Sequence, residues 1–404
     1  DHARRGTGAA AATRRAAGAR HHEPSPLIDA AWVGDSIALV RLAERLSAAP
    51  EVALDTEGDS LHHYPERLSL LQLAAPDGAV WLVDPLAIAD LTPLAPVFAD
   101  VSPVLVVHAG DNDLSHLKRR YGFGFRSIFD TAIAARFLGG KSLGLDTLLT
   151  TWLGVTLPPS RQRDDWSARP LSPSQIDYAA ADVRHLFALK ARLTEELQAV
   201  GRLAWVEEEC AALAAQVVPE RAPDPDAWMY VKGARELAAR NLAALRELYE
   251  LRESLARAAD RPPFKILSEE ILLELARTLP SDTEGLATVR GVTPRVIGRW
   301  GGVLLAAIQR AQTLDETRLP QWPRRPRPII PGATSRRVEA LRKWRAATTE
   351  RVGLEPGVLL PNRLISVIAE AAPRTVEALS ALDGVRRWRA EHFGGELIAA
   401  LERS

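Results

Sequence analysis

Residues 51–59, Glu-Val-Ala-Leu-Asp-Thr-Glu-Gly-Asp, constrain this chain more than any other stretch. Val52-Ala53-Leu54 is a short apolar run suited to a buried strand, and side chains at i and i+2 of a strand share one face. Asp55 and Glu57 therefore project together. Two carboxylates held side by side repel each other, an arrangement that is stable only in solvent or around a shared cation. Taken alone, the stretch fits either a solvated strand end or a cation-binding pair.

The chain has 404 residues, of which 47% are hydrophobic, enough for two or three domains with substantial cores. The single cysteine, Cys210, excludes an intramolecular disulfide framework and a cysteine-based zinc cluster, and fits a reducing cytoplasm. No apolar run reaches bilayer-spanning length. Residues 1–25, rich in Ala, Arg and Gly, read as a disordered tail. The zero formal net charge hides an imbalance: residues 26–205 carry −6 and residues 320–404 carry +6. An acidic centre with basic flanks suits a metal site that works on a polyanion.

Helical spacing runs from Ser36 to Ala49, ahead of the strand bearing Asp55. Leu68–Ala74 and Val80–Val83 flank Pro76-Asp77-Gly78, which predicts a hairpin and so three adjacent strands. Leu91–Phe98 reads as a short helix and Val104–Val107 as a fourth strand, followed by a helix capped by Asp111 or Asn112. A longer helix is expected from about Pro173 to Leu197. This order indicates a mixed sheet flanked by helices. The C-terminal part is helical and internally repeated: shifted by 93 residues, Arg252, Pro263, Ile271, Pro280, Gly291 and Gly302 meet Arg345, Pro356, Leu364, Pro373, Gly384 and Gly395. Two small all-α bundles follow, joined by a proline-rich segment at 313–334 that reads as a stiff linker. The expected domains are 26–215, 226–312 and 335–404.

Two more acids join the first pair. Asp113 falls in the first turn of the helix after the fourth strand, where strand ends deliver ligands to a crevice. An acid at a helix N-terminus also simply complements the helix dipole. Asp182 lies one helical turn from Tyr178, on the same face, with alanines between them that allow close packing on the sheet. Four carboxylates without Cys or His make a hard-oxygen site favouring Mg²⁺ or Mn²⁺ over Zn²⁺.

Asp55-Thr56-Glu57, His108-Ala109-Gly110-Asp111-Asn112-Asp113-Leu114 and Tyr178-Ala179-Ala180-Ala181-Asp182-Val183 resemble the three exonuclease motifs of the DEDD superfamily, in its tyrosine branch and its ribonuclease D family. Phe129-Asp130-Thr131 and Asp165-Trp166-Ser167-Ala168-Arg169-Pro170-Leu171 extend the resemblance, which spans about residues 30–205. The helical repeats resemble the helicase-and-ribonuclease-D C-terminal (HRDC) domains that follow it in that family.

The resemblance implies a ribonuclease H-like α/β exonuclease domain and 3′-5′ hydrolysis of RNA by two divalent ions, Mg²⁺ or Mn²⁺. Structured RNA such as transfer-RNA precursors is the implied partner, and the cytoplasm the implied location. Asp55 would bridge both ions, Glu57 and Asp182 would hold one, Asp113 would support the other, and Tyr178 would orient the attacking water. The family usually places a lysine near position 159; Pro159 stands there, so Arg161 or Arg163 would replace that substrate contact. His108 belongs to the same substrate-side set. Tyr64 is a candidate for stacking on a terminal base or simply a loop aromatic. Arg336, Arg337, Arg342, Lys343 and Arg345 are expected to bind phosphates. Two other readings use the same residues: a DNA-directed exonuclease with identical metal chemistry, and a non-catalytic RNA-binding protein, which a missing acid would have favoured.

Overall fold

The computed structural model describes residues 30–220, 224–323 and 331–404. The expected tail at 1–25 and the proline-rich residues 324–330 lie outside them. Six strands, β1 (Ala30–Val33), β2 (Glu51–Gly58), β3 (Leu68–Ala74), β4 (Val80–Val83), β5 (Val104–Val107) and β6 (Ile128–Asp130), form one sheet in the order β1-β4-β3-β2-β5-β6. β2-β3 and β3-β4 are antiparallel, and β1-β4, β2-β5 and β5-β6 are parallel. The expected mixed sheet is thus present, with β2 near its middle. The hairpin turns at Gly78, whose φ of 89° suits a residue without Cβ.

The central strands are covered on both faces, which is why β3 reads as an almost unbroken apolar run. One face, with Val52, Leu54, Leu71, Leu73, Leu105 and Val107, packs against helices α1 (Ser36–Ser47), α2 (Ala95–Ala99) and α3 (Asp111–Tyr121). α4 (Thr131–Phe137) and α5 (Leu145–Leu153) follow, and then α6 (Pro173–Arg184) covers the other face, laying Ala179, Ala180 and Val183 on Ala53, Ala74, Leu82 and Val106. The one long helix expected from Pro173 is instead α6 and α7 (Leu186–Ala199), parted at His185. The reason is a change of partner: α6 rests on β2, β3 and β4, whereas α7 packs against α4 and α5. α8 (Leu203–Ala215) completes this part of the chain.

The repeat is realised helix by helix. α9 (Ala239–Ala259), α10 (Pro263–Ile266), α11 (Glu269–Thr278), α12 (Thr283–Thr288) and α13 (Pro294–Gln312) form the first bundle. α14 (Gly332–Val352), α15 (Pro356–Leu359), α16 (Asn362–Ala371), α17 (Val376–Ser380) and α18 (Arg387–Glu402) form the second, each starting 93 residues after its counterpart.

The second bundle shares a core with the α/β part. Phe137, Leu149, Leu193, Trp205 and Cys210 pack in one cluster with Leu341, Trp388 and Phe393. The rings of Trp205 and Trp388 stack at 4.7 Å. Around them Glu208 accepts from the Trp388 amide at 2.9 Å, and Glu209 accepts from Trp388 Nε1 at 3.1 Å and Arg386 Nε at 3.1 Å. Arg389 is buried here and donates to the Leu359 and Val358 carbonyls at 2.8 and 3.0 Å, so the charge brought into the core has partners. Trp388→Ala should therefore destabilise both parts, by about 3–5 kcal/mol as for other buried aromatic truncations. Calorimetry should show the wild type melting the α/β part and second bundle together, and the variant melting at lower temperature with the two separated.

Candidate active site

β2 carries Ala53, Asp55 and Glu57 toward α6, and the capping of α6 fixes what meets them. Ser172 caps the helix, accepting from the Gln175 amide while the Gln175 side chain accepts from the Ser172 amide, and Pro173 occupies the first turn. Tyr178 and Asp182 then face the strand over the alanines. Trp166 packs beside Tyr178 with ring centroids 6.0 Å apart. The segment holding Trp166 is tied to the sheet by Arg169, which donates to Asp84 at 2.8 and 2.9 Å.

Asp55, Glu57 and Asp182 each offer a carboxylate oxygen, and these atoms lie within 4.8 Å of one another. Burial and mutual repulsion set their protonation. Asp55 is raised well above the usual carboxylate range, first by desolvation and then by Asp113, Asp182 and Glu57. Desolvation and the neighbouring acids push Glu57 up to about 9, and burial pushes Asp182 up to about 7. Tyr178 is raised by burial, then by Asp182, Glu57 and Asp55, so its phenol keeps its proton beside the Asp182 carboxylate. Acids this hard to ionise together, with oxygen donors alone, fit a hard divalent cation, and divalent-metal use follows from the donor set.

Asp113 stands next to this trio. Its carboxylate accepts from the Thr56 hydroxyl, between Asp55 and Glu57 in sequence, and its charge still raises both of them. The turn that delivers it is held by Asp130, which accepts from the amides of Ala109 at 3.1 Å, Gly110 at 2.9 Å and Ala132 at 2.8 Å. Ala109 sits at φ 51°, and a Cβ on Gly110 would come within 2.8 Å of Val107 Cγ2. The N-cap of α3 is Gly110, in place of the expected Asp111 or Asn112, and its amide is taken by Asp130 at the end of the neighbouring strand β6. His108 lies in the same turn with Nδ1 2.9 Å from the Thr131 hydroxyl.

The remaining expected contacts divide. Arg161 is near the acids: it pairs with Asp164 at 3.3 Å, and Asp164 helps to raise Glu57. Arg163 is exposed, and its carbonyl is 2.9 Å from His62 Nε2. Tyr64 is engaged by the first bundle. Its ring packs into the first bundle with the Arg257 guanidinium 5.2 Å above it, and its hydroxyl donates to Glu253. A phenol offered an apolar wall and a carboxylate at once takes both. Two of the five C-terminal basic residues are likewise engaged inside their bundle: Arg337 donates to the Ala369 carbonyl at 3.3 Å, and Arg345 to the Leu360 carbonyl at 2.8 Å. Carbonyls at helix ends lack intrahelical donors, and these arginines supply them. Arg336, Arg342 and Lys343 are exposed on α14.

Motif and spacing do not single out Asp164 or Gln72. Gln72, directly opposite Asp55 on β3, is signalled only by being the lone amide in an apolar run. Asp164 has no comparable signal, since only the fold brings its loop to Glu57.

Comparison with known proteins agrees with this architecture. A 3′-5′ exonuclease family model matches residues 30–198, and an HRDC domain model matches 241–308 and 335–401. Ribonuclease D of Pseudomonas paraeruginosa is 35% identical over 92% of this chain and 97% of its own length. Ribonuclease D of Escherichia coli is 37% identical over 70% of this chain and 75% of its own length. The crystal structure of the Escherichia coli enzyme, described as an exoribonuclease involved in structured RNA processing, superposes with a TM-score of 0.67 at 31% identity, covering 93% of this chain and 99% of that one. On this sequence and structural evidence, the chain belongs to the ribonuclease D family of 3′-5′ exoribonucleases.

Proposed function

We propose that this chain trims the 3′ ends of structured RNA, transfer-RNA precursors among them, in the cytoplasm, releasing nucleoside 5′-monophosphates. The observation carrying the proposal is the convergence of Asp55, Glu57 and Asp182 beside the Tyr178 side chain. The structured-RNA processing ascribed to the Escherichia coli relative supports the substrate class, and a lone cysteine, Cys210, buried as a free thiol, fits a reducing compartment. The nuclease is assigned to 26–215 and the helical domains to 226–312 and 335–404, the first helix of the second bundle beginning just before that boundary at Gly332.

Two Mg²⁺ or Mn²⁺ ions held there would supply water activation and neutralise charge on the leaving oxygen of an in-line phosphoryl displacement. Asp55 would be shared between them, Glu57 and Asp182 would hold one, and Asp113 would support the other. Tyr178, its hydroxyl raised in pKa by burial and by the acids beside it, orients the attacking water rather than taking its proton. Arg161, beside the acids through Asp164, takes the contact that Pro159 cannot make. His108 and Arg163 complete the substrate side. Exposed Arg336, Arg342 and Lys343 on α14 hold phosphates farther along the strand.

Asp182→Asn should abolish hydrolysis of 3′-hydroxyl RNA in Mg²⁺ while leaving the fold intact by circular dichroism. Tyr178→Phe, which keeps the ring and loses only the hydroxyl, should lower kcat by roughly 10²-fold with little change in KM. Single-turnover assays on matched RNA and DNA oligonucleotides read both effects and the sugar preference together.

The acids also make the stability of the metal-free protein depend on pH. The folded protein without metal keeps the Glu57 proton to about pH 9 and the Asp182 proton to about 7, whereas unfolded carboxyls lose theirs near ~4. The folded state thus binds more protons across that window, and its stability falls as pH rises from ~4 through 7 and 9. Glu57→Gln should flatten the decline in metal-free melting temperature between pH 6 and 9, and saturating Mg²⁺ should do the same for the wild type.

Replacing Arg336, Arg342 and Lys343 together by alanine should lower the slope of log binding constant against log salt by ~0.7–0.9 for each phosphate the protein no longer neutralises, measured with single- or double-stranded RNA of transfer-RNA size.

A further inference from the structure

Gln72 is the one amide in the middle of β3, and it is completely buried. It stands opposite Asp55 in the β2-β3 register, and residues so paired project from the same face with Cβ atoms about 4.5–5.5 Å apart. Its neighbours two residues away on the same face show what lies above it. Leu70 packs with Trp166, Tyr178 and Ala179, and Ala74 packs with Ala53, Ala180 and Val183. On its other side, β4 presents Leu82. The amide is therefore enclosed by apolar groups under α6, with Asp55 as the polar group across the strand pair.

Neither Gln72 Nε2 nor Oε1 has a hydrogen-bond partner. A buried amide bonded at neither end is unfavourable, and an apolar residue of similar shape would fill the space better. Packing alone thus gives no reason for glutamine here. The nearby acid does. A carboxylate that ligates a cation is itself hydrogen-bonded by a neighbour that fixes its orientation. Hydrogen bonds to an ionised carboxylate are about twice as strong as neutral ones. The register places such a donor, unpartnered and buried, directly across the strand pair from Asp55.

We propose that Gln72 is a positioning residue for Asp55, its Nε2 donating to the carboxylate when a divalent cation is bound and so fixing the orientation of that ligand. The inference rests on reading Asp55, Glu57 and Asp182 as a divalent-cation site. Gln72 touches neither RNA nor the reacting atoms and works only through Asp55.

Gln72→Leu and Gln72→Met in the full chain test this, Met serving as the more adaptable replacement should Leu fold poorly. Three quantities are read: melting temperature of the metal-free protein, Mn²⁺ affinity by calorimetry without RNA, and kcat and KM at saturating Mn²⁺. The metal-free variants should melt at or above the wild-type temperature, because an unbonded amide has been removed. Their Mn²⁺ affinity should fall about tenfold, which corresponds to about 1.4 kcal/mol, and kcat should fall while KM for RNA stays unchanged. Wild-type Mn²⁺ affinity in both variants would overturn the proposal. So would a lower metal-free melting temperature with unchanged affinity, the signature of a structural water bonded to the amide. Failure of the wild-type protein itself to bind Mn²⁺ would instead overturn the cation-site reading on which the proposal depends.

Discussion

The repulsion among Asp55, Glu57 and Asp182 is the constraint on which the rest of the nuclease domain depends. Their oxygens meet within 4.8 Å in a site where burial already disfavours charge. Such a cluster persists only if the backbone carrying it is held by contacts elsewhere, because the acids contribute nothing favourable of their own without a cation. β2 is paired on both sides, by β3 and β5. α6 is capped at its start, lies close to the sheet through alanines, and is flanked by Trp166. The local unfavourable energy is therefore imposed by a rigid frame, and a divalent ion relieves it.

That frame extends beyond the sheet. Asp130 gathers the amides that shape the turn before α3 and thereby places Asp113, while Arg169 fastens the loop carrying Trp166 to Asp84. Both bundles are docked on the α/β part. The second continues its core through Trp205 and Trp388, and the first meets the loop after β2 through Tyr64 and through Asp260, whose carboxylate lies 2.8 Å from His63 Nδ1. Basic residues on α14 thus belong to a surface fixed relative to the acids.

Local chemistry was legible where local chemistry decides the outcome. The strand ending in Asp55 and Glu57, the hairpin around Gly78 and the 93-residue repeat were all readable from spacing, and the repeat extends to the helix starts. β1 and β6 were missed because Ala30-Ala31-Trp32-Val33 and Ile128-Phe129-Asp130 lack the run of β-branched and leucine residues that marks the similarly short β5. The break at His185 was missed because α6 and α7 are separated by their partners rather than by a proline or glycine. Residue types named a chemistry correctly more often than they named a partner. Tyr64 could stack and Arg345 could bind an anion, but Glu253, Arg257 and the Leu360 carbonyl, each remote in sequence or in another element, reached them first. Gln72 was visible as an anomaly in an apolar strand, yet its meaning required the register that sets it opposite Asp55.

Burial and mutual repulsion hold the acids protonated until a cation offsets their charge. Proton release on metal binding tests it most directly. Calorimetric titration of the metal-free protein with Mn²⁺ at pH 7, repeated in buffers of different ionisation enthalpy, counts the protons expelled. With Glu57 up at about 9, Asp182 at about 7 and Asp55 well above its usual range, more than one proton should leave per protein molecule as the site fills. Binding with no proton release would mean that the carboxylates are already ionised side by side, and would contradict the account.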